Sequence, residues 1–105
     1  MKQRVLAIGD SGKGLPEYYE VTSEYLFENA KELIRKKEQA GQRFDGLFIS
    51  VENLNAFWEF LEWMDTTGKV YPVGILCYRN RFQYILLRTQ IRHREKKTFI
   101  DVFIK

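Results

Sequence analysis

The sequence predicts an α/β domain in which strands and helices alternate along the chain. Two short apolar runs, Val5–Ile8 and Phe44–Val51, carry bulky side chains on both faces of an extended chain, which is typical of strands buried in a parallel sheet. Stretches with apolar residues at helical spacing lie between and after such runs. The order is β-β-α-β-α-β-α-β, and this alternation favours a mainly parallel five-stranded sheet with three helices and right-handed crossovers.

The first half of the chain contains two predicted strands and one helix. The strand Val5–Ile8 is followed by the loop Gly9–Pro16, which is dense in turn residues. Tyr18–Ser23 is rich in aromatic and β-branched residues and predicts the second strand. A helix is expected over Glu24–Gln39, with Ser23 as its N-cap and Gly41 at its end. Its apolar stripe comprises Leu26, Ala30, Leu33 and Ile34.

The second predicted helix has a clear apolar stripe. Asn53 is expected to cap it, and the helix ends near Thr67–Gly68. The stripe comprises Leu54, Phe57, Trp58, Leu61 and Met64. Trp58 is therefore predicted to lie in the core. Phe60 and Trp63 fall beside the stripe, so Trp63 either packs against a neighbouring helix or forms an exposed anchor for a partner.

The last third of the chain predicts a strand, a helix and a strand. Tyr71–Tyr78 is apolar and extended in pattern, and Asn80 follows as a helix cap. The helix from Asn80 to about Arg92 is apolar nearly all round, which is typical of a helix between two surfaces. Thr98–Ile104 predicts the last strand.

Composition limits the class of protein. The 105 residues indicate one domain, 1–105, and 45% of them are hydrophobic. The net charge of +3 does not by itself demand a nucleic-acid partner. The single cysteine, Cys77, excludes an internal disulfide and favours a reducing compartment. The apolar run near the amino terminus is too short for a signal peptide core or a membrane span, so we expect a cytoplasmic protein without a membrane partner.

The glycine-rich loop does not match a nucleotide-binding P-loop. A Walker motif needs four residues between its first glycine and Gly-Lys, with Ser or Thr after the lysine. Here Gly14 follows Lys13, and Pro16 and a strand-like run follow instead of a helix. The loop is interpreted as a plain connection.

The succession of motifs resembles the response-regulator receiver domain, which has a flavodoxin-like fold of the chemotaxis-receiver type. Tyr19–Ser23, the following helix and Phe44–Ser50 are similar to its second strand, second helix and third strand. Tyr71–Cys77 is similar to its fourth strand, and Asp101–Lys105 to its fifth with the terminal lysine. The resemblance implies the strand order 2-1-3-4-5.

The chain departs from the receiver pattern where receivers carry their chemistry. Ser50 stands at the place of the phosphoacceptor aspartate, and Gly9-Asp10 at the place of two adjacent acidic residues that hold Mg²⁺. Cys77 replaces the hydroxyl residue that ends the fourth strand, and only Asp10 and Lys105 keep the family's identity. The resemblance therefore implies a degenerate receiver, or pseudo-receiver, with no phosphoryl transfer, no cofactor and no metal.

Two receiver helices, the first and the last, are missing from the predicted pattern. In the receiver layout both cover the same face of the sheet, and the strands here are apolar on both faces. Val5 and Ala7 point to one side of the first strand, and Leu6 and Ile8 point to the other. We therefore expect one bare apolar face, covered by a second copy, by another protein or by an unusual placement of the long first helix. The expected interface residues are Phe99, Phe103, Trp63, Tyr84 and Leu87.

Two candidate sites follow from these patterns. The first is a strand-end pocket at the carboxyl edge of the sheet, with Asp10, Ser50, Cys77 and Lys105. It is either a residual site for a small anion or nucleotide or, as we favour, a vestige in which Asp10 pairs with Lys105.

The second candidate site is a basic segment between residues 79 and 97. One interpretation is that this segment contacts a nucleic acid or another anion. Its members are Arg79, Arg81, Arg88, Arg92, Arg94, Lys96 and Lys97. A solvated, positively charged helix end is the plainer interpretation.

The main hypothesis is thus a non-catalytic regulatory or protein-interaction module that forms a homodimer. The alternatives are a small nucleic-acid-binding protein and, least favoured, an enzyme with a strand-end pocket.

Overall fold

The computed structural model describes residues 3–9, 15–50, 54–69, 71–77, 85, 88–89 and 100–104. The elements in chain order are β1 (Gln3–Ile8), β2 (Tyr19–Glu24), α1 (Phe27–Gln39), β3 (Gly46–Ser50), α2 (Leu54–Thr66), β4 (Val73–Cys77) and β5 (Ile100–Ile104). The predicted α/β class with a parallel sheet is confirmed. Most of the helix predicted over 80–92 lies outside the described residues, and within it Ile85, Arg88 and Thr89 are helical.

The strands lie in the order β2-β1-β3-β4-β5, and each neighbouring pair is parallel. Leu6 is in register with Leu47, which is in register with Val73. Because β1 and β3 are neighbours although β2 lies between them in sequence, the direction of the chain across the sheet reverses there. Ligands of open α/β sheets bind at the carboxyl ends of the strands at such a reversal.

The core lies on one face of the sheet, under α1 and α2. The strands contribute alternate residues from three neighbouring strands: Leu6, Ile8, Leu47, Ile49, Val73 and Ile75. Ala30 and Ile34 from α1 and Phe57, Phe60, Leu61 and Met64 from α2 fill the other side. The apolar stripes predicted for the two helices therefore face this layer in part: Leu26, predicted in the first stripe, precedes α1 and is 58% exposed.

The apolar side chains beside the stripe of α2 pack against α1. Phe60 is fully buried, and its ring centroid lies 5.0 Å from that of Phe27 in α1. The Trp63 ring lies 5.7 Å from Phe60 and has Lys31 and Arg35 of α1 within 5.7 and 5.5 Å of its centroid. Of the two roles expected for Trp63, the structure shows packing against a neighbouring helix. Trp58, predicted to be core, is only partly buried against the core.

The start of α1 differs from the prediction. Ser23 does not cap the helix, because it belongs to β2 and is in register with Ala7 of β1. Pairing with β1 continues through Glu24, so the chain stays extended past the predicted cap. The N-cap is Leu26, whose side chain makes no capping hydrogen bond.

The end of α1 agrees with the prediction. Gly41 has φ +74° and follows the C-cap Ala40. The Gly41 N–H donates to the Glu38 carbonyl at 3.0 Å, and the Gln42 N–H donates to the Lys37 carbonyl at 2.8 Å. These are the two hydrogen bonds of a Schellman motif, in which a left-handed residue ends the helix.

Val5 and Ala7 lie on the face of the sheet opposite the helices, because they alternate with the core residues Leu6 and Ile8. Their exposed fractions are 2% and 0%. One reason is an aromatic bridge: Tyr19 of β2 and Phe48 of β3 have ring centroids 5.4 Å apart. Because β1 lies between these two strands, the rings meet above it and shield its shorter side chains. Whether the rest of this face is bare stays a prediction.

Candidate functional site

The carboxyl end of the sheet brings together two positions named from the receiver resemblance. Gly9 directly follows β1, and Ser50 ends β3, the neighbouring strand. Gly9 has φ +80°, and a Cβ at this position would lie 3.3 Å from both the Cβ and the carbonyl oxygen of Ser50. The glycine is therefore required by conformation and fits tightly against Ser50.

The Ser50 side chain is buried at the end of β3. Its exposed fraction is 4%, and within the described residues its Oγ has no hydrogen-bond partner. A serine hydroxyl is a weak nucleophile unless an adjacent base activates it. A carboxylate side chain at position 9 would be strained by the positive φ and crowded by Ser50.

Of the other three predicted members of this pocket, the structure describes the backbone of Cys77. Asp10 and Lys105 lie outside the described residues. Cys77 ends β4, and its backbone is in register with Ile104. No group of three or more His, Cys, Asp or Glu side chains that could hold a metal ion occurs in the part of the chain that the structure describes.

A second feature lies at the opposite end of the strands, on the face away from α1 and α2. It is a half-open groove of about 340 Å³, within the range of ligand pockets. We call it the amino-end groove, because β1, β3 and β4 contribute their first residues to it. Its lining comprises Gln3, Val5, Tyr19, Asp45, Gly46, Leu47, Phe48, Pro72, Val73 and Gly74.

Gly46 keeps the amino-end groove open. Its φ is not in the left-handed region, and an added Cβ would meet only the Pro72 carbonyl oxygen, at an ordinary contact distance of 3.4 Å. Neither backbone conformation nor packing within the chain therefore requires glycine in this central strand. Glycine in a strand weakens it and often marks the close approach of another molecule or backbone.

Asp45 is one of the residues that line the groove. The Arg4 N–H donates to Asp45 Oδ2 at 2.8 Å, and the Asp45 N–H donates to the Arg4 carbonyl at 2.7 Å. This reciprocal pair fixes Asp45 against β1. Among the described residues that line the groove, Asp45 alone has a charged side chain, so a hydrogen-bond donor in the groove would be directed to it.

Tyr19 lines the groove, and Tyr18 is its neighbour in sequence and in ring contact. Burial raises the pKa of Tyr19, and a hydrogen bond with Tyr18 raises it further, so the phenol stays protonated. The two ring centroids are 4.6 Å apart. Tyr19 is half-buried, whereas 63% of Tyr18 is exposed. An exposed aromatic ring thus lies directly beside an unfilled groove.

A polar cluster ties α1 to the segment before β4. The Tyr71 hydroxyl donates to Glu38 Oε2 at 2.5 Å, the Lys69 ammonium donates to Glu38 Oε1, and the Arg43 guanidinium lies 4.4 Å from the Tyr71 ring centroid. Burial alone would raise the pKa of Glu38, but the hydrogen bonds from Lys69 and Tyr71 outweigh burial and lower it. Burial, followed by the bond to Glu38, raises the pKa of Tyr71. The cluster is a structural clasp, because it fixes the end of α1.

Most of the residues predicted for an interface or a basic contact cannot be placed. Those outside the described residues are Phe99, Tyr84, Leu87, Arg79, Arg81, Arg92, Arg94, Lys96 and Lys97. Phe103 belongs to β5, where its backbone is in register with Leu76. Arg88 is helical and exposed.

Within the described ranges, no helix combines the length and the apolar character that crossing a lipid bilayer requires. Comparison with known proteins gave no matching family model, no matching curated protein and no matching solved structure.

Proposed function

We propose that this chain is a non-catalytic, receiver-like regulatory or interaction module that forms a homodimer through the sheet face opposite α1 and α2. The strand order β2-β1-β3-β4-β5 supports the receiver-like interpretation, because it is the order of flavodoxin-like sheets. In this proposal the sheet has five strands and three helices, and the first and last receiver helices are missing.

The carboxyl end of the sheet supports a non-catalytic role. Receiver chemistry would require carboxylates to hold Mg²⁺ and accept a phosphoryl group, and Mg²⁺ binds through carboxylate oxygens and waters. Gly9 and Ser50 occupy two of those places, and the conformation of Gly9 resists an acidic replacement. Ser50 Oγ is buried, with an accessible area below 1 Å², so a phosphoryl donor in solvent cannot reach it.

The observation that carries the interaction role is the amino-end groove. Gly46 lies in the central strand β3, and nothing within the chain requires a glycine there. The glycine leaves apolar surface open and makes the strand less stable. The groove has an aromatic wall, Tyr19 and Phe48, and a single carboxylate, Asp45. An apolar recess with one directional polar group is the composition of an interface pocket that receives a large side chain.

Two experiments test this proposal. Incubation with acetyl phosphate and Mg²⁺, followed by intact-protein mass spectrometry, is expected to give no phosphorylated species; a phosphorylated product would contradict the non-catalytic assignment. Light scattering at micromolar concentration is expected to give twice the chain mass of 12.6 kDa. A monomer under these conditions would contradict the homodimer.

A further inference from the structure

We propose that the homodimer is held by a reciprocal exchange of tyrosines, in which Tyr18 of each copy inserts into the amino-end groove of the other. This inference rests on the proposed dimerisation and names the side chain that occupies the groove.

Tyr18 is the best-placed occupant among the exposed apolar side chains of the described chain. The large hydrophobic residues with high exposure are Tyr18, Tyr25, Leu26 and Ile85. Tyr18 directly precedes β2 and its ring lies beside Tyr19, which lines the groove. Tyr25 and Leu26 follow β2 at its other end, about 20 Å away for a six-residue strand at the usual rise.

Two-fold symmetry explains why ring and groove occur side by side. In a two-fold dimer both copies use the same surface patch. A side chain that projects beside a groove can therefore enter the groove of the second copy, while the same side chain of the second copy enters the first groove. Each dimer then contains two identical contacts.

The chemistry of the groove suits a tyrosine rather than a purely apolar ring. A buried tyrosine needs a hydrogen-bond partner for its hydroxyl. Asp45 carries one known bond, from the Arg4 N–H to Oδ2, and a carboxylate accepts several. The same chain already shows such a pair, since the Tyr71 hydroxyl donates to the Glu38 carboxylate at 2.5 Å.

Sedimentation equilibrium of the wild-type chain and two tyrosine variants tests the exchange. Tyr18→Ala removes the proposed anchor, and Tyr25→Ala is the matched control because its exposed fraction is 62% against 63% for Tyr18. Loss of an aromatic hot spot costs about 30-fold or more for each contact, so the loss of both contacts in Tyr18→Ala should weaken dimerisation by about 900-fold or more, with Tyr25→Ala unchanged. Tyr18→Phe should lie between, because it keeps the ring and loses the bond to Asp45.

Filling the groove gives a second, independent test. Gly46→Val places a branched side chain in the recess, where the chain itself offers space for its Cβ, and thermal unfolding confirms that the variant is folded. It is expected to be monomeric at concentrations where the wild-type chain is a dimer. If the wild type is a dimer and Tyr18→Ala or folded Gly46→Val dimerises equally well, the tyrosine exchange is wrong, although the dimer proposal stands. A monomeric wild type contradicts both.

Discussion

The hydrogen bond from Tyr71 to Glu38 allows a quantitative prediction. Tyr71→Phe removes one hydroxyl and keeps a ring whose exposed fraction is 1% in the native structure. The lost bond is made to a charged acceptor, for which the usual contribution is about 1.5–3 kcal/mol. The Glu38 side chain is 24% exposed and keeps Lys69, so water can partly replace the hydroxyl. We therefore expect a loss of about 1–2 kcal/mol in the free energy of unfolding.

The prediction has a pH dependence with a definite sign. The pKa of Glu38 is lowered from its ordinary value of 4.5, so this carboxyl stabilises the fold above that pH and ceases to do so as pH falls through the native pKa. Tyr71→Phe removes one of the hydrogen bonds that lower it. The difference between the variant and the wild type should therefore be full at neutral pH and shrink below pH 4.5.

Urea unfolding followed by far-ultraviolet circular dichroism measures both effects. At neutral pH the midpoint should fall with an unchanged slope, and each kcal/mol should correspond to about 4–8 °C in thermal midpoint. Asn29→Gln is the control, since this side chain on α1 is exposed and surface changes are usually within about 0.5 kcal/mol. A Tyr71→Phe variant as stable as this control, or one whose deficit does not change in acid, would refute the reasoning.

Three further predictions concern packing, backbone and charge. Phe60→Ala should cost about 3–5 kcal/mol in thermal or urea unfolding, because it opens a cavity between α1 and α2; a cost below that of Tyr71→Phe would contradict the packing of Phe60. Gly41→Ala should cost about 1 kcal/mol through its positive φ alone, since no atom lies within 4 Å of the added Cβ; an unchanged stability would contradict the left-handed cap. If the basic segment Arg79–Lys97 binds nucleic acid, heparin should retain the chain and release it with rising salt; passage without retention at low salt ends that alternative.

The strands and helices were predictable because their signals are local. The buried runs ending at Ile8 and Ser50 are apolar on both sides, and the stripe of α2 repeats at helical spacing, so hydrophobic periodicity suffices. The N-cap was mispredicted for a non-local reason. Ser23 has the right chemistry for a cap, but pairing of β2 with β1 holds it in the sheet, and a window of local sequence does not contain that contact.

The Glu38 cluster and the amino-end groove differ in how far the sequence could have predicted them. The clasp of Glu38, Lys69 and Tyr71 joins residues 31 and 33 positions apart, and no motif or spacing marks it. The groove could have been predicted from two glycines, Gly46 and Gly74, which interrupt apolar strands. An isolated glycine in a strand suggests that another backbone approaches the strand closely there. What the sequence could not reveal is that the rings of Tyr19 and Phe48 meet across β1, on the face where Val5 and Ala7 are buried.

Hydrogen–deuterium exchange of the wild-type chain at low and high protein concentration tests most directly whether the amino-end groove is where two copies meet. Peptides that contain Asp45–Phe48 and Pro72–Gly74 should exchange more slowly at the higher concentration, while the exposed side of α1 stays unchanged. Equal exchange of the groove peptides at both concentrations, or protection confined to another surface, would contradict the account.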